Sequence, residues 1–340
     1  MKRPVFIIGS PRSGTTLLYD MLQSAGGFAR YPAESNVFNM LVPTFGRLKS
    51  HIDKQRLLQA WLRSALFRAT HLEPVHINQE LMRCSSGGEF LNVLMEAIAQ
   101  DQGVERWADQ TPSHLLHIPE IRQAFPEALF VHMIRDGRDV ALSLGKPGWV
   151  RPLPGQRHNL RTAAAMYWAW MVRKGRQYGQ TVKPDYLEIR YEDLVQSPHV
   201  TLRRLADFIG HELDYDKIQQ NPIGSVRKPN TSFTTERAAG AFNPVARWKR
   251  ALGSDELSVL EFLIGDLLTE LDYPLAGSST KDTVADLHRL RSLYPKYYEF
   301  LLWMKKHTPL HKYFASRDLD HRMFHAAAET VDYGGTDRPK

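Results

Sequence analysis

The chain carries one cysteine in 340 residues, Cys84, so no internal disulfide can form, as expected for a reducing compartment. It also lacks an apolar run of the roughly 20 residues needed to cross a bilayer; the longest small-apolar stretch, 163–172, falls well short and reads as a buried helix. Zinc-type ligand spacing, internal repeats and basic stripes interleaved with aromatics are absent, which leaves no nucleic-acid module to point to. The excess of positive charge is small, 44 Lys+Arg against 37 Asp+Glu for a net +7, enough to favour a polyanionic ligand but not to argue for DNA binding. Residues 1–4, Met-Lys-Arg-Pro, lead straight into an apolar strand and leave no room for the apolar segment of a signal peptide, so a cytoplasmic location is expected.

The most telling absence is a lysine. Val5–Ile8 reads as a buried strand, and Leu17, Leu18, Met21, Leu22 and Ala25 form a helical stripe beginning just after Gly14. The loop between them spaces Gly9 and Gly14 as in G-x-x-x-x-G-K-[ST], where backbone N–H groups at a helix N-terminus face a phosphate. At the lysine position stands Thr15, and the strong cation of the loop is Arg12, three residues earlier. Less charge is expected on the group held than on the β- and γ-phosphates of ATP. A nucleotide whose second acidic group is a sulfonate meets that lower demand without magnesium.

These residues resemble the signature loop of the sulfotransferases that use 3′-phosphoadenosine 5′-phosphosulfate (PAPS), a Pro-Arg/Lys-Ser-Gly-Thr-Thr run; here Pro11–Thr16 reads Pro-Arg-Ser-Gly-Thr-Thr. A second match lies at 125–143. There Leu129–Ile134 is a strand, Arg135 sits at its carboxyl end, and Ser143 follows eight residues later, the family's spacing for a 3′-phosphate site. Asp109–Pro112 and the 125–143 stretch are most similar to the tyrosylprotein and bacterial branches, except that Gln110 replaces the usual lysine and cannot neutralise developing charge. Tyr186–Leu194 resembles the strand ending in Tyr-Glu-Asp-Leu, which gives Tyr191 a place beside the nucleotide. Arg247-Trp248-Lys249 is similar to the closing segment of a basic loop, with Ala246 where relatives often have serine.

The resemblance covers about residues 4–275 and implies a P-loop-type α/β three-layer sandwich with a mainly parallel sheet, no metal, and PAPS as co-substrate. It assigns Arg12, Ser13, Gly14, Thr15 and Thr16 to the 5′-phosphosulfate, with Arg12 also meeting transition-state charge. It gives Arg135 and Ser143 to the 3′-phosphate, and Tyr191, Arg247 and Lys249 to the nucleotide. Glu34, twenty residues after Gly14, stands where tyrosylprotein-type enzymes place their base; His132 and His158 are reserve bases. The acceptor, a hydroxyl or amine on a sugar, lipid, peptide or small metabolite, is left open. Two rivals remain at this point: a P-loop kinase using Asp136 for magnesium, and a non-catalytic nucleotide-binding scaffold.

Periodicity organises the rest. Leu57, Leu58, Trp61 and Leu62, then Phe90, Leu91, Leu94, Met95 and Ile98, predict a helical insertion at about 40–104 within a 1–275 domain. A short strand is expected at Trp107–Asp109 and a helix after Pro112. His114 and His117 on it are three apart without a third ligand. The Gly/Pro-rich stretch 145–155 is a loop that could serve as an acceptor lid. A helix should start at Ser254, and the 276–325 extension predicts a pair of helices meeting at Pro295, either as cover for the domain or, through the aromatic 284–306 region, as a contact surface for a membrane or a second copy; 326–340 reads as a loose tail.

Overall fold

The computed structural model describes residues 2–46, 48–156, 159–227, 244–277 and 284–308. It opens with β1 (Val5–Gly9), α1 (Thr15–Ala25) and β2 (Phe28–Ala29), followed by a π-helical turn, Val37–Leu41. Five helices then form a block: α2 (Val42–Phe45), α3 (His51–Leu62), α4 (Ala65–Arg68), α5 (Pro74–Arg83) and α6 (Gly87–Asp101). The two stripes read from the sequence are buried in it, except Leu62, which is half-buried. α6 shows why it starts where it does: Ser86 accepts from the Glu89 N–H at 3.1 Å, while the Glu89 carboxylate accepts from the Ser85 N–H at 2.7 Å.

Next come β3 (Arg106–Gln110), a 3-10 turn over Pro112–His117, α7 (Ile118–Ala124), β4 (Leu129–Ile134), α8 (Gly137–Leu144), α9 (Leu160–Gln180) and β5 (Tyr186–Arg190). The helix expected after Pro112 is thus a tight turn first and an α-helix only from Ile118. α10 (Tyr191–Gln196), α11 (Pro198–Ile209), α12 (Tyr215–Gln220), α13 (Gly224–Arg227), α14 (Trp248–Ala251), α15 (Ser254–Glu270) and α16 (Val284–His307) complete the described chain.

The five strands are parallel in the order β2-β3-β1-β4-β5. Side chains alternate between the two faces: Phe6, Ile8 and Phe130 pack with α6 and α9, whereas Val5, Ile7 and Val131 pack with α1 and α11. Both faces are covered, which is why the strands read as continuous apolar runs. Because β1 lies between β3 and β4, the order turns at β1, and the crevice at its carboxyl end is where such sheets bind ligands.

The C-terminal extension corrects the sequence reading. Among its described residues, Val284–His307 form one helix running through Pro295, not two meeting there. Leu287, Tyr294 and Tyr298 belong to the main hydrophobic cluster, so neighbouring packing holds the helix across the missing N–H of the proline. The aromatic stretch is divided: Tyr294 and Tyr298 are buried, whereas Leu293, Phe300 and Trp303 are exposed. Among the described residues no helix is long and apolar enough to cross a membrane. His158 and the tail at 326–340 lie outside the described residues.

Candidate active site

Four strands deliver residues to the same edge. β1 runs into the loop at Gly9, β3 ends on Gln110, β4 is followed by Arg135, and β5 is followed by Tyr191. Their convergence builds a cleft of about 520 Å³ whose lining includes Arg12, Gly14, Thr15, Thr16, Glu34, Gln110, Arg135 and Tyr191. In open parallel sheets ligands bind in the crevice outside the carboxyl ends of the strands, which is where these residues stand.

The loop is shaped for an anion. Arg12 has φ 70° and Gly14 φ 91°, two left-handed residues that turn the backbone before α1 begins. α1 has no side-chain cap, so its first N–H groups stay open to the cleft. Tyr191 closes over Gly14 so tightly that an added Cβ would fall 2.3 Å from its Cδ2, which only glycine avoids. Ser13 is fully buried, and its Oγ has no partner. Gln110 Nε2 donates to Thr15 Oγ1 at 3.2 Å and to Thr16 Oγ1 at 3.4 Å, so the amide stands over the loop in the lysine's stead.

Two arginines face the cradle. Arg12 donates through Nε to Ser143 Oγ at 3.0 Å and lies 5.7 Å from the Trp149 ring centre. Burial lowers its pKa most, Arg135 lowers it further, and Glu34 opposes both. Arg135 is 4% exposed, stacks 4.4 Å over Tyr191, donates to Pro244 O at 2.6 Å, and pairs with Asp139 at 3.6 Å. Its Nε is buried and unpartnered. Unpaired buried donors at Ser13 and Arg135, beside an open helix start, fit the phosphate groups of a nucleotide.

The carboxylate expected to serve a kinase is otherwise engaged. Asp136 Oδ1 caps α8 through Arg138 N–H, and Arg138 binds both of its oxygens, at 3.0 Å and 2.8 Å. Arg138, fully buried, also donates to Glu261 at 2.6 Å and lies 3.7 Å over Trp248. Removing one partner of such a buried group costs about 3–5 kcal/mol, so this cluster is what fixes the β4–α8 corner that carries Arg135.

Glu34 reaches the cleft on a segment with its own scaffold. His114 donates through Nδ1 to Asp109 Oδ2 at 2.8 Å, and its Nε2 accepts the Phe38 N–H at 3.3 Å, which sets the tautomer. Thr111 Oγ1 donates to Asp109 Oδ1 at 3.2 Å and lies 3.4 Å from Ser35 Oγ, while Asn39 donates to Asn36 and to Ser113. Asn36 in turn donates to Glu34 O at 3.0 Å. The histidine that looked like half of a metal pair is therefore part of the support beneath Glu34. His117 pairs with Glu120 instead, and burial depresses it to about 4. Among the described residues no three His, Cys, Asp or Glu side chains form a metal-binding group.

Other sequence expectations are placed elsewhere. His132, a reserve base, is buried at the sheet's core, bonded to Tyr186 OH at 2.6 Å, and depressed to about 3 by burial; it does not line the cleft. Ser143 meets the site through Arg12 and not by lining it. Trp248 turns inward, its backbone N–H donating to Asp139 Oδ1 at 2.9 Å, which leaves Lys249 exposed and both Arg247 and Lys249 outside the cleft lining. The residues that sequence reasoning missed are Trp149, Tyr167, Ser225 and Lys305. Ser225 is held by Asp20 Oδ2, which accepts both its N–H and its hydroxyl, at 2.7 Å and 2.6 Å. The Gly/Pro-rich composition around Trp149 was a signal; the others had none.

Fold and cradle together define an α/β protein with a parallel five-stranded sheet and a glycine-bearing loop, shaped for an anion, at the carboxyl end of β1. A family model described as "Sulfotransferase family" matches residues 4–228, and the chain belongs to that family, enzymes that transfer a sulfonate group to an acceptor. It is 23% identical over 301 residues to a Caenorhabditis briggsae chain named "Putative protein-tyrosine sulfotransferase", covering 85% of this chain and 97% of that one. With the "Nodulation protein NoeE" of Sinorhizobium fredii it shares 23% over 304 residues, covering 82% of this chain and 67% of the other. Among solved structures, the sulfotransferase domain of the Synechococcus PCC 7002 olefin synthase has the same fold. It is 20% identical, with a TM-score of 0.50, and the match covers 86% of this chain and 96% of that domain.

Proposed function

We propose that this sulfotransferase takes its sulfonate from PAPS and that Glu34 is the base that receives the acceptor's proton. The observation that carries the reading is the convergence, in one cleft, of an anion cradle with spare buried donors, two arginines and a carboxylate on a separately braced segment. Arg12, Ser13, Gly14, Thr15 and Thr16 would hold the 5′-phosphosulfate, and Arg135 the 3′-phosphate, with Tyr191 against the nucleotide. As the acceptor oxygen bonds to sulfur, its proton passes to Glu34; the bond from sulfur to the phosphate oxygen breaks, and 3′,5′-adenosine bisphosphate leaves with the electron pair. Arg12 lies where negative charge grows during that exchange. Cys84, a single buried thiol raised to about 11 by burial, accords with a cytoplasmic setting, which is part of this reading.

Ligand binding tests the donor site without an acceptor. 3′,5′-Adenosine bisphosphate at about a hundred times its dissociation constant should raise unfolding stability by roughly 2.7 kcal/mol in a thermal or denaturant titration. ATP with magnesium should raise it much less. Equal or larger stabilisation by Mg-ATP would move the assignment to a kinase.

A further inference from the structure

The cleft's two ends belong to the two faces of the sheet. Leu17, Met21, Tyr215 and Val226 line the cleft from the cluster on the α1 face, and Met40 and Tyr167 from the cluster on the α9 face; Trp149, with Arg12 close to it, and Lys305 of α16 complete the lining. The α9 end is built in detail. Tyr167 is propped edge-on by Tyr298 at 5.2 Å and tilted against Trp170 at 5.7 Å, and Tyr298 OH is fixed on Ala163 O at 2.9 Å. Trp149 is 52% exposed. On α16, Lys306 Nζ grips Glu120 at 2.6 Å and Leu116 O at 3.3 Å, which sets the rotation of the last turn so that its neighbour Lys305 lines the cleft. Tyr298 and Lys305 both lie beyond residues 4–228, outside the matched family region.

Resting on the sulfotransferase reading, we propose that the α9 end is the acceptor subsite and that α16 makes it select a ring-bearing hydroxyl compound that also carries an anionic group. Aromatic walls favour the flat face of an aryl or sugar ring. Arg12 and Arg135 come from the strand ends and serve the donor, whereas Lys305 arrives from a separate helix on the acceptor's side. A carboxylate-bearing acceptor placed with its anion on Lys305 would leave its hydroxyl toward Glu34 and the sulfonate, and the ammonium would offset the repulsion between the acceptor's charge and Glu34.

Two matched probe pairs separate charge from ring type: 4-hydroxyphenylacetate against 4-hydroxyphenylacetamide, and methyl glucuronide against methyl glucoside. In the pair that is sulfated, kcat/KM for the acid should exceed that for its neutral partner by about tenfold or more. Lys305→Gln should bring the ratio to about one chiefly by raising KM for the acid, with kcat/KM for the neutral compound changed much less and 3′,5′-adenosine bisphosphate still bound. Equal use of acid and neutral compound by the unaltered enzyme overturns the proposal, as does an equal loss for both in Lys305→Gln. So does failure of all four probes while the bisphosphate binds. If the bisphosphate itself does not bind, the donor assignment fails and takes the subsite with it.

Discussion

Replacing Glu34 by Gln should lower kcat by about a hundred- to ten-thousandfold while 3′,5′-adenosine bisphosphate affinity and thermal stability hold, since the change removes the proton-accepting charge and keeps the shape. The segment's anchors explain why the fold should tolerate it: the contacts that hold 35–39 run through Thr111, Ser113 and His114, and the contact to residue 34 that Asn36 makes is to its backbone oxygen. Glu34 does favour the charged form of Arg12, so a modest change in donor affinity is compatible, but not one of the same size as the loss in rate. Steady-state kinetics with any turned-over hydroxyl acceptor, beside a denaturation curve, checks this. Near-normal turnover would place the base elsewhere, and lost stability in step with lost activity would make Glu34 structural.

Arg135→Ala should weaken 3′,5′-adenosine bisphosphate by about ten- to hundredfold while weakening 5′-AMP far less, because a charge-assisted contact of roughly 1.5–3 kcal/mol is lost only where a 3′-phosphate is present. The ratio of the two affinities is the informative quantity. Arg135 is also the cation beside buried Asp139, whose carboxyl is raised by burial and held down chiefly by Arg135, so the alanine variant should be less stable as well. Arg135→Lys keeps that charge but loses the fork that spans Tyr191, Pro244 and the cleft, and should retain the fold with an intermediate affinity ratio. Isothermal titration of both nucleotides on each variant decides it. Equal weakening of the two nucleotides would remove Arg135 from the 3′-phosphate site.

What could be read from the sequence was whatever local rules govern. β1, the loop and the start of α1 follow from an apolar run, a glycine spacing and a helical stripe, and β4 was legible to the residue at Leu129–Ile134. Arg135 and Tyr191 were legible through the resemblance, and each stands just past a strand, β4 or β5, and lines the cleft. The acceptor end was not, because it depends on which way long-range neighbours turn. Lys305 lines the cleft on a helix whose last turn is fixed by Lys306, next to it, gripping Glu120 nearly two hundred residues earlier. His114 was ambiguous for the same reason: helical spacing suggested a partner at His117, whereas the end of β3 supplies Asp109. Around Trp248 the orientation is set by long-range contact as well: the indole's contact with Arg138 turns it inward and leaves Lys249 at the surface. Pro295 marked a break by local rules, and the burial of Tyr294 and Tyr298 on either side overrode it.

The most direct measurement is of the transferred group itself. Incubated with PAPS and the four ring acceptors used to probe Lys305, and followed by mass spectrometry, the enzyme should form a product heavier by one sulfonate together with an equal amount of 3′,5′-adenosine bisphosphate, without added metal. Mg-ATP in place of PAPS should give no product. A phosphorylated acceptor from Mg-ATP, or PAPS that binds in the cleft and is recovered intact with every acceptor, would contradict the account.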